Sequence, residues 1–288
     1  MAIPFRLDLS KREQIGSWTR ELIKRPKLDD WLLNVIRTTA ADILATSEGS
    51  NLAFIGRTPE NFFDYLSGSF HTLSEAPNLH LLQFSMRWPG AGCVKAIDQH
   101  AFERHSEYIR HESEHPEQKS KASAPLAMVD FVAYGGTMKT LCEILHRMAR
   151  EARTDWNAVQ RRLMLIGLLP EGKTSPKTWR WQQHQNWLDL IPDATIRNVS
   201  VHAGFILDLA NTQDKVTPSF RDKRWGGTAQ APRNPPTESE RRALSFALDL
   251  FECATTKEER HLLSQDIASH ARMTHASVRK LVQTLRRR

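Results

Sequence analysis

Apolar residues in the first two thirds of the chain fall in short continuous runs that are separated by polar loops. Four such runs occur, at 51–56, 79–86, 126–133 and 161–169. Each is apolar along its length rather than at alternate positions, which is typical of strands covered on both faces of a parallel sheet. Helical segments are predicted between them, at about 62–73 and 137–152. This alternation predicts an α/β fold with a mostly parallel sheet and flanking helices.

The rest of the chain divides into further segments by composition. Residues 11–47 have helical spacing that is interrupted near Pro26. The long polar region 87–124 is expected to be either a functional cover or a disordered segment. Residues 226–237 are rich in Gly and Pro, as linkers are, and residues 238–288 look helical. We therefore predict an α/β domain at 1–230 and a small all-α C-terminal unit at 238–288.

Charge and composition narrow the class of protein. The net charge of +7 indicates an anionic partner such as a phosphorylated sugar, a nucleotide or nucleic acid. The three cysteines lie far apart in the sequence, so neither a disulfide framework nor a zinc ribbon is predicted. No apolar run is long enough to cross a bilayer, and the charged N-terminus lacks the pattern of a secretory signal. We expect a cytoplasmic protein without a membrane partner.

The stretch VDFVAYGGT, residues 129–137, predicts a strand, a glycine loop and the start of a helix. Such a turn suits a phosphate, because glycines let the backbone approach an anion and helix N-terminal N–H groups point at it. The predicted ligand-binding residues are Tyr134, Gly135, Gly136 and Thr137. Asp130 precedes the loop, where a carboxylate could bind sugar hydroxyls or support a magnesium ion. The same turn also occurs in α/β proteins that bind nothing at that point.

These residues resemble the PRPP-binding motif of type I phosphoribosyltransferases. In that family an apolar strand leads into two acidic residues that contact the ribose hydroxyls, and the following loop holds the 5′-phosphate. The resemblance implies that Asp130 is the first acid, with a catalytic role and a role in binding Mg²⁺ together with PRPP. Phe131 stands where the second acid should be, and the loop is slightly shorter. This departure favours a domain that binds a nucleotide without turning it over.

The order of the other segments also resembles that family. The run at 51–55 ends in Gly-Arg-Thr-Pro-Glu, and the resemblance implies that Arg57 binds pyrophosphate and contributes to catalysis. The polar region 87–124 stands where the family has a mobile loop, with Arg87 and Lys95 as candidate contacts. Residues 209–225 stand where the family has a hood over the base, with Lys215, Arg221 and Trp225 as candidates.

The C-terminal segment 264–288 resembles a helix-turn-helix. Ser264 and Thr274 are predicted N-caps, which gives helices at about 265–271 and 275–286. The second helix would present a polar face to duplex DNA, made of His275, Ser277, Arg279, Lys280 and Gln283. A helical hairpin docked on the main domain, with a solvated basic face, is the alternative.

Three functions follow from these patterns. The first is a PRPP- or nucleotide-binding phosphoribosyltransferase-like protein, which could be a glycosyltransferase that releases pyrophosphate. The second is a non-catalytic nucleotide-sensing regulator that binds DNA through its C-terminal helices. The third is an α/β interaction protein without a ligand.

Overall fold

The fold is built on a sheet of five parallel strands. The computed structural model describes residues 9–10, 28–84, 99–114, 124–172, 181–209, 213–216 and 237–287. The strands are β1 (Asn51–Ile55), β2 (Leu79–Leu82), β3 (Leu126–Phe131), β4 (Leu163–Pro170) and β5 (Thr195–Val201). Their spatial order is β2-β1-β3-β4-β5. The predicted α/β fold with a parallel sheet is confirmed, and the four predicted runs are the first four strands.

Helices connect the strands, and further helices precede β1 and follow β5 in the sequence. They are α1 (Asp30–Thr46), α2 (Glu60–Phe70), α3 (Gln99–Glu114), α4 (Gly136–Glu151), α5 (Trp156–Gln160), α6 (Ala203–Leu207), α7 (Glu238–Thr255), α8 (Lys257–Ser269) and α9 (Ala276–Arg286). Three short 3₁₀ helices lie at Trp181–His184, Asn186–Leu190 and Ala271–Thr274. None of the helices in the described ranges is long and apolar enough to span a bilayer.

Each face of the sheet has its own apolar core. Phe54 and Val129 point to the face that is covered by α1, α2 and the C-terminal helices. Their neighbours Ala53 and Met128 point to the opposite face, which is covered by α3, α4 and α5. Because β2 lies on one side of the β1–β3 pair and β4 on the other, right-handed crossovers place α2 and α4 on opposite faces. The strand order therefore reverses between β1 and β3, where ligands commonly bind at the carboxyl ends of the strands.

The polar region 87–124 contains a helix, so the prediction of a loop or disordered segment is wrong for residues 99–114. Helix α3 buries Phe102 and Tyr108 against the α4 face. The Arg147 guanidinium of α4 lies 3.7 Å from the centre of the Phe102 ring, and the Tyr108 hydroxyl accepts a hydrogen bond from the Gln83 backbone N–H. A few aromatic residues in a charged sequence are therefore enough to dock this helix.

The first of the two predicted C-terminal helices begins earlier than predicted, whereas the second, predicted at about 275–286, is found at Ala276–Arg286. Helix α8 starts at Lys257, and Thr256 is its N-cap, accepting a hydrogen bond from the Glu259 backbone N–H. Ser264 lies inside this helix and donates to the His261 carbonyl, while Thr274 belongs to the 3₁₀ turn. The predicted caps are wrong because Ser and Thr hydroxyls also bond to the carbonyl of a preceding helical turn.

The C-terminal helices share a core with the sheet. Leu250 of α7, Ile267 of α8 and Val278 of α9 belong to the same buried cluster as Phe54. Gly68 allows α7 to cross closely over α2, because a Cβ at that position would overlap the Phe251 carbonyl oxygen. The predicted linker at 226–237 lies outside the described residues except at its last position.

Candidate functional site

The carboxyl edge of the sheet brings the two predicted loops together. Phe54 of β1 is paired with Val129 of β3. Arg57 and Val132 each lie three residues further along, so the Arg57 loop and the glycine loop leave the same edge of adjacent strands. This is the point at which the strand order reverses. The candidate site therefore lies between the carboxyl ends of β1 and β3.

Gly135 fixes the conformation of the glycine loop. Its φ angle of +70° lies in the left-handed region, and it is the N-cap residue of α4. A Cβ at Gly135 would lie 2.8 Å from Cζ3 of Trp181 and 3.2 Å from Cζ2 of Trp187. Gly136 is different, because nothing lies within 4 Å of the position of its Cβ. The loop is therefore packed on the Gly135 side and open on the Gly136 side.

The first turn of α4 offers unused hydrogen-bond donors. Gly135 accepts a hydrogen bond from Lys139 through its carbonyl oxygen. Within the described residues, the backbone N–H groups of Gly135, Gly136 and Thr137 donate to no acceptor. Gly136 is exposed, and the neighbouring Tyr134 side chain is 73% exposed. Unsatisfied N–H groups and the helix dipole together favour an anion at this position.

Asp130 is buried rather than open to solvent. Its side chain is 7% exposed and lies between Met128 and Val132 on the α4 side of the sheet, level with Gly167 of β4. Burial raises the pKa of Asp130 well above its ordinary value, and a hydrogen bond from the Phe131 backbone opposes this shift only in part. The carboxyl group is therefore neutral over a wider pH range than an exposed aspartate, which suits hydrogen bonding to a hydroxyl group.

Phe131 has a packing role. It follows Asp130 in β3 and points to the other face of the sheet, where it packs on the core formed by α1 and α2. The side chain at the position of the family's second acid therefore stabilises the fold and faces away from the glycine loop.

Arg57 is half-buried, and among the described residues it forms no ion pair with a carboxylate. Lys215, the residue proposed from sequence for the hood, lies close enough to Arg57 for the two positive charges to repel each other. The pKa of Lys215 is lowered, first by burial and then by Arg57, against the opposing effect of Glu60. Two cationic side chains therefore lie near each other at the β1 end of the site. The other candidates in the cover and the hood, Arg87, Lys95, Arg221 and Trp225, lie outside the described residues.

Buried polar residues of α2 hold the segment 213–216, and the sequence patterns did not reveal them. The Gln213 side-chain oxygen accepts from Asn61 at 2.7 Å and from Lys215 at 3.1 Å. The Glu60 carboxylate accepts from the Val216 backbone N–H at 3.0 Å. The only hint of these residues in the sequence was the polar segment Pro-Glu-Asn, residues 59–61, at the start of an otherwise mostly apolar helix.

A second cluster that the sequence did not predict packs against the Gly135 side of the glycine loop. Trp181 is fully buried and donates from Nε1 to Asn198 Oδ1 at 3.0 Å. A Cβ at Gly167 would lie 3.0 Å from both of these atoms. The ring of Trp187 stacks on Trp181 with centroids 6.1 Å apart. Both tryptophans therefore pack directly against the glycine loop.

The five predicted DNA-binding residues are all exposed on or next to α9, but several contact the main domain. Ser277 Oγ donates to the Glu48 carbonyl at 2.6 Å, and His275 Nε2 lies 3.5 Å from the Glu48 carboxylate. Lys280 Nζ lies 3.3 Å from the Glu75 carboxylate. Arg279 donates to the carbonyls of Met273 and Thr274, and the backbone carbonyl of Gln283 accepts a hydrogen bond from the Arg287 N–H. DNA binding by this helix stays a prediction.

Comparison of the chain with protein-family models, with curated proteins and with solved structures found no match. The geometry of the carboxyl edge is therefore the basis for a functional proposal.

Proposed function

We propose that the carboxyl edge between β1 and β3 binds a phosphorylated ribose, as PRPP or a nucleotide, in a phosphoribosyltransferase-like manner. The observation that carries the proposal is the pair of unused N–H groups at Gly136 and Thr137, next to open space and beside the strand that carries Arg57. Backbone donors at a helix start bind phosphate without any further charged group. Arg57 adds a charge to the same edge of the sheet.

The residues divide into two subsites. The loop at 135–137 would hold a terminal phosphate, and Asp130 would accept or donate a hydrogen bond to a sugar hydroxyl. Arg57 would bind a second phosphate group through its planar fork of donors. Lys215 lies near Arg57, but Glu60, Asp64 and Asp208 also act on it, so Arg57 is the cation assigned to this subsite.

Magnesium is proposed only as a companion of the phosphates of PRPP. No group of three or more His, Cys, Asp or Glu side chains that could hold a metal exists in the described parts of the chain. Asp130 offers a single carboxyl group whose raised pKa disfavours the ionised form. Since Mg²⁺ in nucleotide sites takes most of its ligands from phosphates and water, these residues do not form a resident magnesium site.

Binding without turnover is the form of this function that the site favours. Phe131 packs into the core in place of a second acid, and Asp130 is buried. Both features remove negative charge from the point where a ribosyl cation would develop. Transfer with release of pyrophosphate stays a prediction, which is tested by assaying pyrophosphate with candidate bases.

The experiment is a melting series with PRPP–Mg²⁺, ribose 5-phosphate and nucleoside monophosphates. A ligand at a hundred times its dissociation constant should add about 2.7 kcal/mol to the unfolding free energy. Arg57→Ala should remove most of the shift produced by PRPP. Arg150→Ala, in the last turn of α4, is the control and should leave the shift unchanged. No shift with any ligand would overturn the proposal and favour an interaction protein without a ligand.

A nucleotide-sensing regulator that binds DNA is the second candidate, and one set of contacts favours it. Asp214 lies in the segment that α2 holds beside Arg57, and it accepts hydrogen bonds from Ser239 at 2.6 Å and Arg242 at 2.7 Å. Both donors lie in the first two turns of α7, the first of the C-terminal helices. The segment 213–216 is thus hydrogen-bonded both to α2 and to the first of the C-terminal helices.

A further inference from the structure

A buried indole N–H beside the glycine loop has no acceptor. The Nε1 atom of Trp187 is buried and makes no hydrogen bond within the described part of the chain. Two neighbouring tryptophans in the described residues are satisfied: Trp181 donates to Asn198 and Trp156 donates to the Leu190 carbonyl at 2.8 Å. Buried N–H groups without a partner are rare, and a bound ligand or ion is one of the explanations for them.

The position of this N–H is fixed by the packing of the ring. Cζ2 of Trp187 would lie 3.2 Å from a Cβ at Gly135, and in an indole Cζ2 is bonded to the carbon that carries Nε1. The ring also stacks on Trp181, with an angle of 25° between the planes. Trp181 is itself hydrogen-bonded to Asn198, so both rings are fixed against the Gly135 side of the loop. The unused N–H therefore stays next to the first turn of α4.

Three kinds of donor and acceptor meet at this place. Gly136 and Thr137 provide unused backbone N–H groups, Trp187 provides an unused side-chain N–H, and Asp130 provides a buried carboxyl group that has no cationic partner among the described residues. The donors are neutral, so an anion bound to them would be held by hydrogen bonds, which are stronger when the acceptor is charged.

We propose that Trp187 is a ligand-binding residue whose indole N–H donates a hydrogen bond to the terminal phosphate of the ligand. The inference rests on the proposed function and assigns the chemistry of its loop subsite. A phosphate monoester has three strong acceptor oxygens, which is enough for the two backbone N–H groups and the indole. The loop subsite would thus select a monoester such as ribose 5-phosphate over an unphosphorylated sugar.

The test is calorimetric binding of ribose 5-phosphate to the full chain and to Trp187→Phe. Phenylalanine keeps an aromatic ring but removes the donor, so the affinity should fall about ten- to a hundredfold, as for a hydrogen bond to a charged group. The affinity is the diagnostic readout, because the smaller ring also leaves space beside Trp181 and lowers the melting temperature whatever the role of the N–H group. A merely structural tryptophan would leave the affinity unchanged.

The control is Trp156→Phe, which removes an indole N–H that already has an acceptor, and it should leave the affinity for ribose 5-phosphate unchanged. Should Trp187→Phe fail to fold, the wild-type chain labelled with ¹⁵N-tryptophan gives a second readout. The indole N–H resonance of Trp187 should move downfield on addition of ribose 5-phosphate, and that of Trp156 should not move.

The outcomes separate the two proposals. If the wild-type chain binds ribose 5-phosphate and Trp187→Phe binds it equally well, the role of Trp187 is overturned and the proposed function stands. An unmoved Trp187 resonance at saturating ribose 5-phosphate overturns that role in the same way. If the wild-type chain binds no phosphorylated ribose at all, the proposed function fails and this inference fails with it.

Discussion

Trp181 packs its indole ring against Gly135, so that a Cβ at residue 135 would lie 2.8 Å from Cζ3 of the ring. Gly135 also has a φ angle of +70°, which other residues adopt only with strain. Glycine is thus required here both by backbone conformation and by the space that the tryptophan leaves. This contact connects the glycine loop after β3 to a residue that lies beyond β4 in the sequence.

Gly135→Ala should lower the unfolding free energy by about 2–4 kcal/mol, because left-handed strain and overpacking against Trp181 add together. It should also weaken binding of ribose 5-phosphate. Gly136→Ala is the matched control. It has open space around its Cβ position, and alanine is favoured in a helix by up to ~1 kcal/mol. Urea denaturation measures both variants, and equal stability of Gly135→Ala and the wild type would contradict the packing described here.

Asp130→Asn should change how the stability depends on pH. Burial raises the pKa of Asp130 in the folded state, so folding favours the protonated carboxyl. Its contribution is fully present below the unfolded pKa of about 4 and is lost as pH rises through the folded pKa, at up to ~1.4 kcal/mol per pH unit. The neutral amide does not titrate, so Asp130→Asn should become progressively more stable than the wild type above pH 4.

Urea denaturation at a series of pH values measures that difference. Asp193→Asn, at an exposed aspartate with a surface ion pair to Arg161, is the control and should show a much smaller dependence. Parallel stability profiles for Asp130→Asn and the wild type would mean that the carboxyl group is not buried in solution.

Arg37→Met should lower the unfolding free energy by about 3–5 kcal/mol. Arg37 of α1 pairs with Glu259 of α8 at 3.3 Å, and Tyr65 of α2 donates to the same carboxylate at 2.9 Å. Both members of the pair are largely buried, so removal of the arginine leaves an unpaired buried carboxylate. The control is Lys139→Met, which breaks a more exposed pair with Glu143 and should cost at most ~0.5 kcal/mol.

Equal losses for the two variants in thermal or urea denaturation would show that the C-terminal helices are not docked through this pair. The measurement therefore also tests whether α8 is part of the main core, as its shared cluster with the sheet indicates.

The local pattern of apolar residues predicted most of the strands of the sheet, but not all of the helices that cover it. The first four strands are mostly apolar and were found from their runs. β5 was missed because TIRNVSV, on the edge of the sheet, is polar at several positions and mostly only half-buried. Helix α3 was missed because two aromatic residues anchor an otherwise charged segment. The boundary between α7 and α8 depends on Thr256, whose role as an N-cap was not predicted from the sequence.

The sequence predicted which loops form the candidate site, but not the contacts between the residues of that site. The glycine loop and Arg57 could be assigned from sequence, because each follows an apolar run that ends in small or turn-forming residues. Their adjacency depends on the pairing of β1 with β3, which no local pattern encodes. The burial of Asp130 and the Trp181–Asn198 contact join residues far apart in the chain, so they could not be read from spacing.

The last prediction concerns duplex DNA. Lys280 of α9 lies 3.3 Å from Glu75, and both side chains are more than half exposed, so this ion pair is weak and a DNA phosphate can compete for the lysine. If α9 binds DNA, Glu75→Gln should raise the affinity for duplex DNA by releasing Lys280. Lys280→Ala should lower the affinity and reduce the slope of log affinity against log salt by about one. Fluorescence anisotropy across a salt series measures both effects, with Lys139→Ala on α4 as the control. A salt slope that is the same for Lys280→Ala and the wild type would place any DNA contact elsewhere, and the basic face of α9 would then be a solvated surface docked on Glu48 and Glu75.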